Sequence, residues 1–415
     1  MSTSVDIAKK DFAPPASLAG FRNKALIVGI VFAIPSIYGA YMATDQFLRG
    51  YLIGYMWCLG MALGGMALLM VGHMTGGNWW MLGRRVFEAA MRTLPFLALL
   101  FIPIVLGMTR LYSWMNPEIA AHDPTVAMKV GWLNPHGFII RAVIYFALWM
   151  LWAWKLGSGS DKQDTDASPA IWQKLKVWSA TGMLIYAFTI TFASVDWVMS
   201  MDPNWYSTIY GFIFIANHLL QGFAMATIVL IMLSSVAPMN ELMKADKLHD
   251  YGKLIFALTM VWGYFSFSQW IIIWAGNLPD EITWYLARIR GAWGVAAILL
   301  VALQFALPFV LLLSRDIKRD ARKLIPVALL VLFIRLLDNF WLIIPNPTPQ
   351  QALHALHHPG GVFIPQMTIH WTYIVTPIAL IGLWTAVFMW FLAKRPLLVR
   401  TEPQLARLWE AGHGH

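Results

Sequence analysis

Apolar runs of about 18–25 residues recur from one end of this chain to the other, separated by short polar loops. Each run can cross a hydrocarbon core about 30 Å thick at 1.5 Å per residue. The pattern predicts ten spans, near 24–43, 51–72, 86–109, 137–156, 177–200, 208–234, 252–275, 291–314, 323–344 and 371–393. Lipid offers the backbone no hydrogen-bond partner, so every span is expected to be a helix. The fold class that follows is all-α, a polytopic integral membrane protein. One stretch breaks the pattern: "TGMLIYAFTITFASVDWVMSMDPNWYSTIYGFIFIANHLLQGF", residues 181–223, places Asp196 before its apolar run has ended and His218 inside the next one.

Composition agrees with the pattern. Hydrophobic residues make up 59% of the chain and charged residues 12%, about half the charge of an average soluble domain. The charges give the orientation. Placing the amino tail, the even-numbered loops and the carboxyl tail on one side collects 23 lysines and arginines, against five (Arg49, Arg110, Lys129, Arg288, Arg290) on the other. Positive residues stay on the cytoplasmic side, so both termini are expected there, with residues 1–23 and 394–415 as tails and 24–393 as the membrane domain. The net charge of +9 is then a consequence of topology and calls for no nucleic acid. The amino end lacks a signal peptide's apolar core and cleavage site, so span one is expected to be retained. Trp79, Trp80, Trp114, Trp132, Trp197, Trp205, Trp284 and Trp371 fall near run ends, as an interfacial aromatic belt would. Residues 155–174, "KLGSGSDKQDTDASPAIWQK", read as a flexible connector. Residues 110–135 and 345–370 are the two long outer loops. No internal sequence repeat is evident, although two successive helical bundles fit the span count.

Cofactor chemistry is bounded by ligand counts. One cysteine, Cys58, excludes both an iron–sulfur cluster and covalent haem within this chain. A membrane haem b needs two histidines at matching depth, and only His218 lies deep in a span. His354, His357 and His358 have a spacing that could hold a metal on a helical turn, but their loop carries no carboxylate. A solvated or partner-facing loop is the expected reading.

Ionisable groups within spans are costly and default to a functional reading. Here they are Arg141, Asp196, His218, Arg335 and Asp338, with Glu88 near the cytoplasmic start of span three. The span directions place the first five toward the outer side. Tyr186, Thr189 and Asp196 share one helical face, as do Thr259, Ser266 and Gln269, while His218 neighbours Gln221. Arg335 and Asp338, at i and i+3, can pair within their helix. Structural readings compete at each position: a neutralised pair at Arg335–Asp338, interhelical hydrogen bonding at His218, loop ordering at Asp196.

Three stretches resemble a known family: "MALGGMALLMVGHMTGGNWWMLGRRVFEAA" (61–90), "SVDWVMSMDPNWYSTIYG" (194–211) and "FSQWIIIWAGNLPDEITWYLARIRGAW" (267–293). They are similar to the shorter NrfD-like membrane subunit of bacterial alternative complex III, the ActF-type or "quinone-binding subunit 2" family. The resemblance implies NrfD-like helical bundles in a bacterial cytoplasmic membrane. It also implies a respiratory complex that oxidises quinol and passes electrons to cytochrome c or a terminal oxidase. The partners it implies are a multihaem cytochrome c subunit, an iron–sulfur subunit, a longer NrfD-like subunit, a cytochrome c module and lipids. Haem c and iron–sulfur clusters would reside in those partners, and the quinol site chiefly in the longer sister subunit. In that setting Asp196, His218, Arg335 and Asp338, with Arg141, are candidates for a proton path. Asp202, Asp280 and Glu281 would form its outer mouth, and Glu88, Tyr186 and Thr189 an inner half-channel. Direct quinone binding by this chain, a purely structural anchor and a secondary transporter are the competing functions. A transporter would typically show inverted repeats.

Overall fold

The computed structural model describes residues 12–358, 365–399, 401 and 405. Among these, ten helices are long and apolar enough to cross a membrane: α1 (Ser17–Met42), α2 (Thr44–Thr75), α3 (Asn78–Leu106), α4 (Pro135–Gln163), α5 (Pro169–Met201), α6 (Tyr210–Leu233), α7 (Ala245–Gly276), α8 (Ala292–Leu313), α9 (Ala321–Ile343) and α10 (Thr372–Leu392). Each predicted span corresponds to one of them, although several helices extend well past the apolar run. Residues 1–11 and most of 400–415 lie outside the described residues, and with them about half of the first predicted tail and most of the second. The backbone N–H of Leu397 donates to the Phe12 carbonyl at 2.8 Å, so the two ends of the described chain share one face, called inner below. An even number of crossings requires this.

The helices pack as two consecutive rings of four. α2, α3, α4 and α5 close the first ring and α6, α7, α8 and α9 the second, while α1 and α10 form a pair against α2 and α3. The rings meet where α6 lies against α2 and α5. The two successive bundles that the span count allows are therefore present.

α2 is the hub, buried along its whole apolar window. Glycines permit this. A methyl group at Gly64 would sit 2.0 Å from the His218 carbonyl oxygen, and one at Gly60 would sit 2.1 Å from Gln221 Oε1. Gly60 and Gly64, spaced as in small-xxx-small membrane packing, thus bring the α2 and α6 backbones into direct contact at the seam between rings.

Two sequence expectations are corrected. The proposed flexible connector 155–174 is mostly helix: α4 continues to Gln163, α5 starts at Pro169, and only 164–168 intervene. Ser160 and Gln163 are buried against Arg84, so tertiary partners hold polar residues that composition reads as linker. Pro169 begins the next helix because its missing N–H is no loss in a first turn. The aromatic belt is also only partial. Trp80, Trp114, Trp197, Trp205 and Trp284 are buried in protein contacts, whereas Trp132 and Trp371 remain exposed. Buried indoles fill wide interhelical gaps that leucine would leave open.

Candidate functional site

The intramembrane charges do not form one connected cluster. They separate into a closed cluster in the first ring and an open one at the seam with the second.

In the first ring, Asp196 of α5 is fully buried. Its carboxylate accepts from Arg141 Nε at 2.8 Å and Nη2 at 2.9 Å, from the Tyr145 hydroxyl at 2.9 Å and from Trp132 Nε1 at 2.8 Å. Four donors occupy the oxygens of one carboxylate, two of them in the forked arrangement arginine favours. Arg141 also lies over the Trp132 ring at 4.2 Å. This arrangement joins α4, α5 and the outer loop before α4, with a donor at each lone-pair site of the carboxylate. Asp196→Asn is expected to lower stability by about 3 kcal/mol, because Arg141 loses its counter-charge in a largely buried site. Thermal unfolding in detergent checks the loss.

At the seam, Arg335 and Asp338 of α9 form an ion pair within their helix. Asn217 Nδ2 of α6 approaches Asp338 Oδ2 at 3.5 Å, and Arg335 Nη2 donates to Asn339 Oδ1 at 3.2 Å. Asn339 Nδ2 in turn donates to the Ile53 carbonyl of α2 at 3.2 Å. Next to Asn217 in the chain, His218 Nδ1 shares a 3.2 Å hydrogen bond with the Tyr186 hydroxyl of α5. His218 stands about 12 Å below the outer end of α6, facing the glycines of α2. Residues from both rings thus meet here, and the Asp338 carboxylate has fewer donors than Asp196 has.

The inner residues are not assembled as expected. Glu88 accepts from Arg84 Nε at 2.9 Å, Arg85 Nη1 at 2.7 Å and Ser160 Oγ at 2.5 Å. Arg85 also pairs with Asp164. This is an ion-pair network holding the start of α3 to the end of α4. Thr189 accepts from Trp149 Nε1 at 2.8 Å and donates to the Ile185 carbonyl at 2.7 Å. Among the described residues, no hydrogen bond joins Glu88 to Tyr186 or Thr189. At the outer side, Asp202 is half-buried, and burial raises its carboxyl above the ordinary aspartate range against the opposing pull of Arg288 and Lys129. Glu281 is half-buried at the start of the outer helix Pro279–Ile289. The Asp280 side chain lies outside the described residues.

Two functional-looking arginines escape sequence reasoning, which counts them only for topology. Arg49 of α2 donates to the carbonyls of Ile344 and Asn346 at 2.9 Å and of Pro347 at 3.0 Å. Arg288 donates to the Leu342 carbonyl at 3.2 Å and to Asn346 Oδ1 at 2.6 Å, and it stacks on Trp284 with its guanidinium 3.7 Å from the ring centroid. Burial lowers the Arg288 pKa to about 10, which leaves it charged at neutral pH. Both cations cap the carboxyl end of α9, where free carbonyls and the negative end of the helix dipole attract positive charge. Their only sequence signal is an arginine at a span end.

Among the described residues, the buried histidines are His73 and His218. His73 Nδ1 pairs with Ser179 Oγ at 2.9 Å near the inner end of α2, far from the depth of His218. On the outer side, His354 and His357 lie on the helix Pro349–His357, and the His354 and His358 rings stack at 4.4 Å. The carboxylate missing from their loop comes from the other one: Glu118 Oε1 lies 2.7 Å from His357 Nε2. The two outer loops therefore touch. Among the described residues, no group of three or more His, Cys, Asp or Glu is placed to hold a metal ion. Comparison with protein-family models and with curated proteins finds no match to this chain.

Proposed function

We propose that this chain is a membrane subunit of an alternative complex III-type quinol:electron-acceptor oxidoreductase, in which it supports proton transfer and complex assembly without a redox centre of its own. The observation that carries the reading is the ionisable seam between rings, where Arg335–Asp338, Asn217, His218 and Tyr186 meet inside the span region. Intramembrane ionisable groups are retained mainly where they have work to do. The three stretches that resemble the NrfD-like family lie at this seam's supports: 61–90 includes Gly64 of α2, 194–211 runs from the end of α5 to the start of α6, and 267–293 includes Arg288. On this reading Asp338 and His218 are the proton-exchanging groups, Tyr186 links His218 to the first ring, and Asp202 with Glu281 lies toward the outer mouth. The saturated Asp196–Arg141 cluster and the Glu88 network are structural ties.

Co-purification tests the assignment. An affinity-tagged chain drawn from native membranes in mild detergent should bring with it a multihaem cytochrome c, an iron–sulfur protein and a longer ten-helix-class membrane subunit, at fixed stoichiometry and with quinol oxidation activity. Isolation as a single polypeptide carrying no haem absorbance would count against the reading and favour a free-standing transporter.

A further inference from the structure

We infer that the second ring holds a site for internal water, built at a widened turn of α8 around Gln304. The residues Val301–Ala306 form a π-helical turn within α8, a feature that re-aims the side chains around it and recurs at functional sites. Gln304 is the buried residue of that turn, with no exposed surface. Among the described residues neither its Nε2 nor its Oε1 finds a hydrogen-bond partner.

Two more buried polar atoms without protein partners come from the neighbouring helices. Trp262 of α7 has Nε1 unpaired, and Asn217 of α6 has Oδ1 unpaired. A small apolar cluster joins Trp262 to the chain neighbours of the other two. Trp262 packs with Ile213 and Ala216 of α6, and Phe305 of α8 packs against them. Gln304 precedes Phe305 and Asn217 follows Ala216 in the chain. The set comprises two donors, Trp262 Nε1–H and Gln304 Nε2–H, and two acceptors, Gln304 Oε1 and Asn217 Oδ1. A water molecule offers the complementary two acceptor lone pairs and two hydrogens.

The energetics favour hydration. A buried polar group left unpaired costs about 1–3 kcal/mol, and three side chains with such groups in one ring would be a heavy penalty. Buried water commonly makes about three hydrogen bonds to otherwise unpartnered polar groups. The ligand required is small, neutral and both donor and acceptor, with Gln304 as its principal contact, Trp262 as a second and Asn217 reached directly or through a further water. The inference concerns this ring alone and stands whether or not the chain belongs to a quinol-oxidising complex.

A density map of the purified wild-type protein, at a resolution that reveals ordered water, tests it. Density for a water within hydrogen-bond distance of the Gln304 amide and Trp262 Nε1 is expected, and its loss is expected in Gln304→Leu. A direct Gln304–Trp262 hydrogen bond with no water between them would overturn the site, as would water density that persists unchanged in Gln304→Leu. Trp262→Phe supplies a second arm should Gln304→Leu fail to fold. It removes one donor while keeping an aromatic ring, and the water is expected to be lost or displaced from the Gln304 amide; an unmoved water would count against Trp262 as a ligand and overturn the site as drawn.

Discussion

On the function proposed above, Asp338→Asn is expected to keep the complex assembled while abolishing most of the proton release that would accompany quinol oxidation. Asparagine preserves the size of the side chain and its hydrogen bonding with Asn217, but it cannot take up and release a proton. It also leaves Arg335 without its counter-charge, and an unpaired buried ion can cost about 3–5 kcal/mol. Reduced turnover in this variant alone could therefore reflect weakened packing, and a second variant separates the causes. Arg335→Gln combined with Asp338→Asn removes both charges, and stability is expected to return toward the parent. If Asp338 exchanges protons, coupling stays lost in the double variant despite that recovery. Proton release measured in proteoliposomes beside the rate of quinol oxidation decides the matter. Full coupling in the double variant would leave the pair with a packing role only. Asp338→Leu is expected to disturb assembly as well, since it keeps the Arg335 charge while removing its ion-pair partner and the acceptor of Asn217 Nδ2.

Gly64→Val should have the largest structural effect of any single substitution on α2. Its Cβ alone would lie 2.0 Å from the His218 carbonyl oxygen and 2.8 Å from the carbonyl carbon. These are backbone atoms of α6, so no side-chain rotation relieves the clash. The two rings would have to separate at the seam, carrying His218 away from Tyr186. Overpacking a well-filled core commonly costs about 1–3 kcal/mol, and a backbone clash falls at or beyond the upper end. Yield of folded protein and thermal midpoint in detergent are both expected to fall sharply. Gly20→Val, where a side chain meets nothing within 4 Å, should behave as the parent does. Equal losses at both positions would point to a general intolerance of valine in these helices and away from the seam.

Much of the architecture was legible without coordinates, and the reason is physical. A lipid bilayer imposes one period and one length on every crossing segment, so apolar runs announce the spans directly. The ten runs matched ten helices, and the internal pair Arg335–Asp338 followed from helical spacing alone.

Partnership between distant segments was not legible. Arg141 and Asp196 are both visible as intramembrane charges, but 55 positions separate them and no local rule joins them. Only the packing of α4 on α5 reveals that they saturate one another. Glu88 follows the same logic: its partner Ser160 lies in a stretch whose Gly, Ser and Asp content imitates a linker, and burial against Arg84 turns that stretch into helix. Arg49 and Arg288 look like topology markers until α9 brings its carboxyl end between them. Sequence by itself determined the number, length and apolar character of the spans, since those depend on each segment's own contact with lipid. The tertiary structure decided which buried charges are ringed by donors and which have fewer partners, because that depends on which helices meet and on the glycines that let α2 and α6 touch.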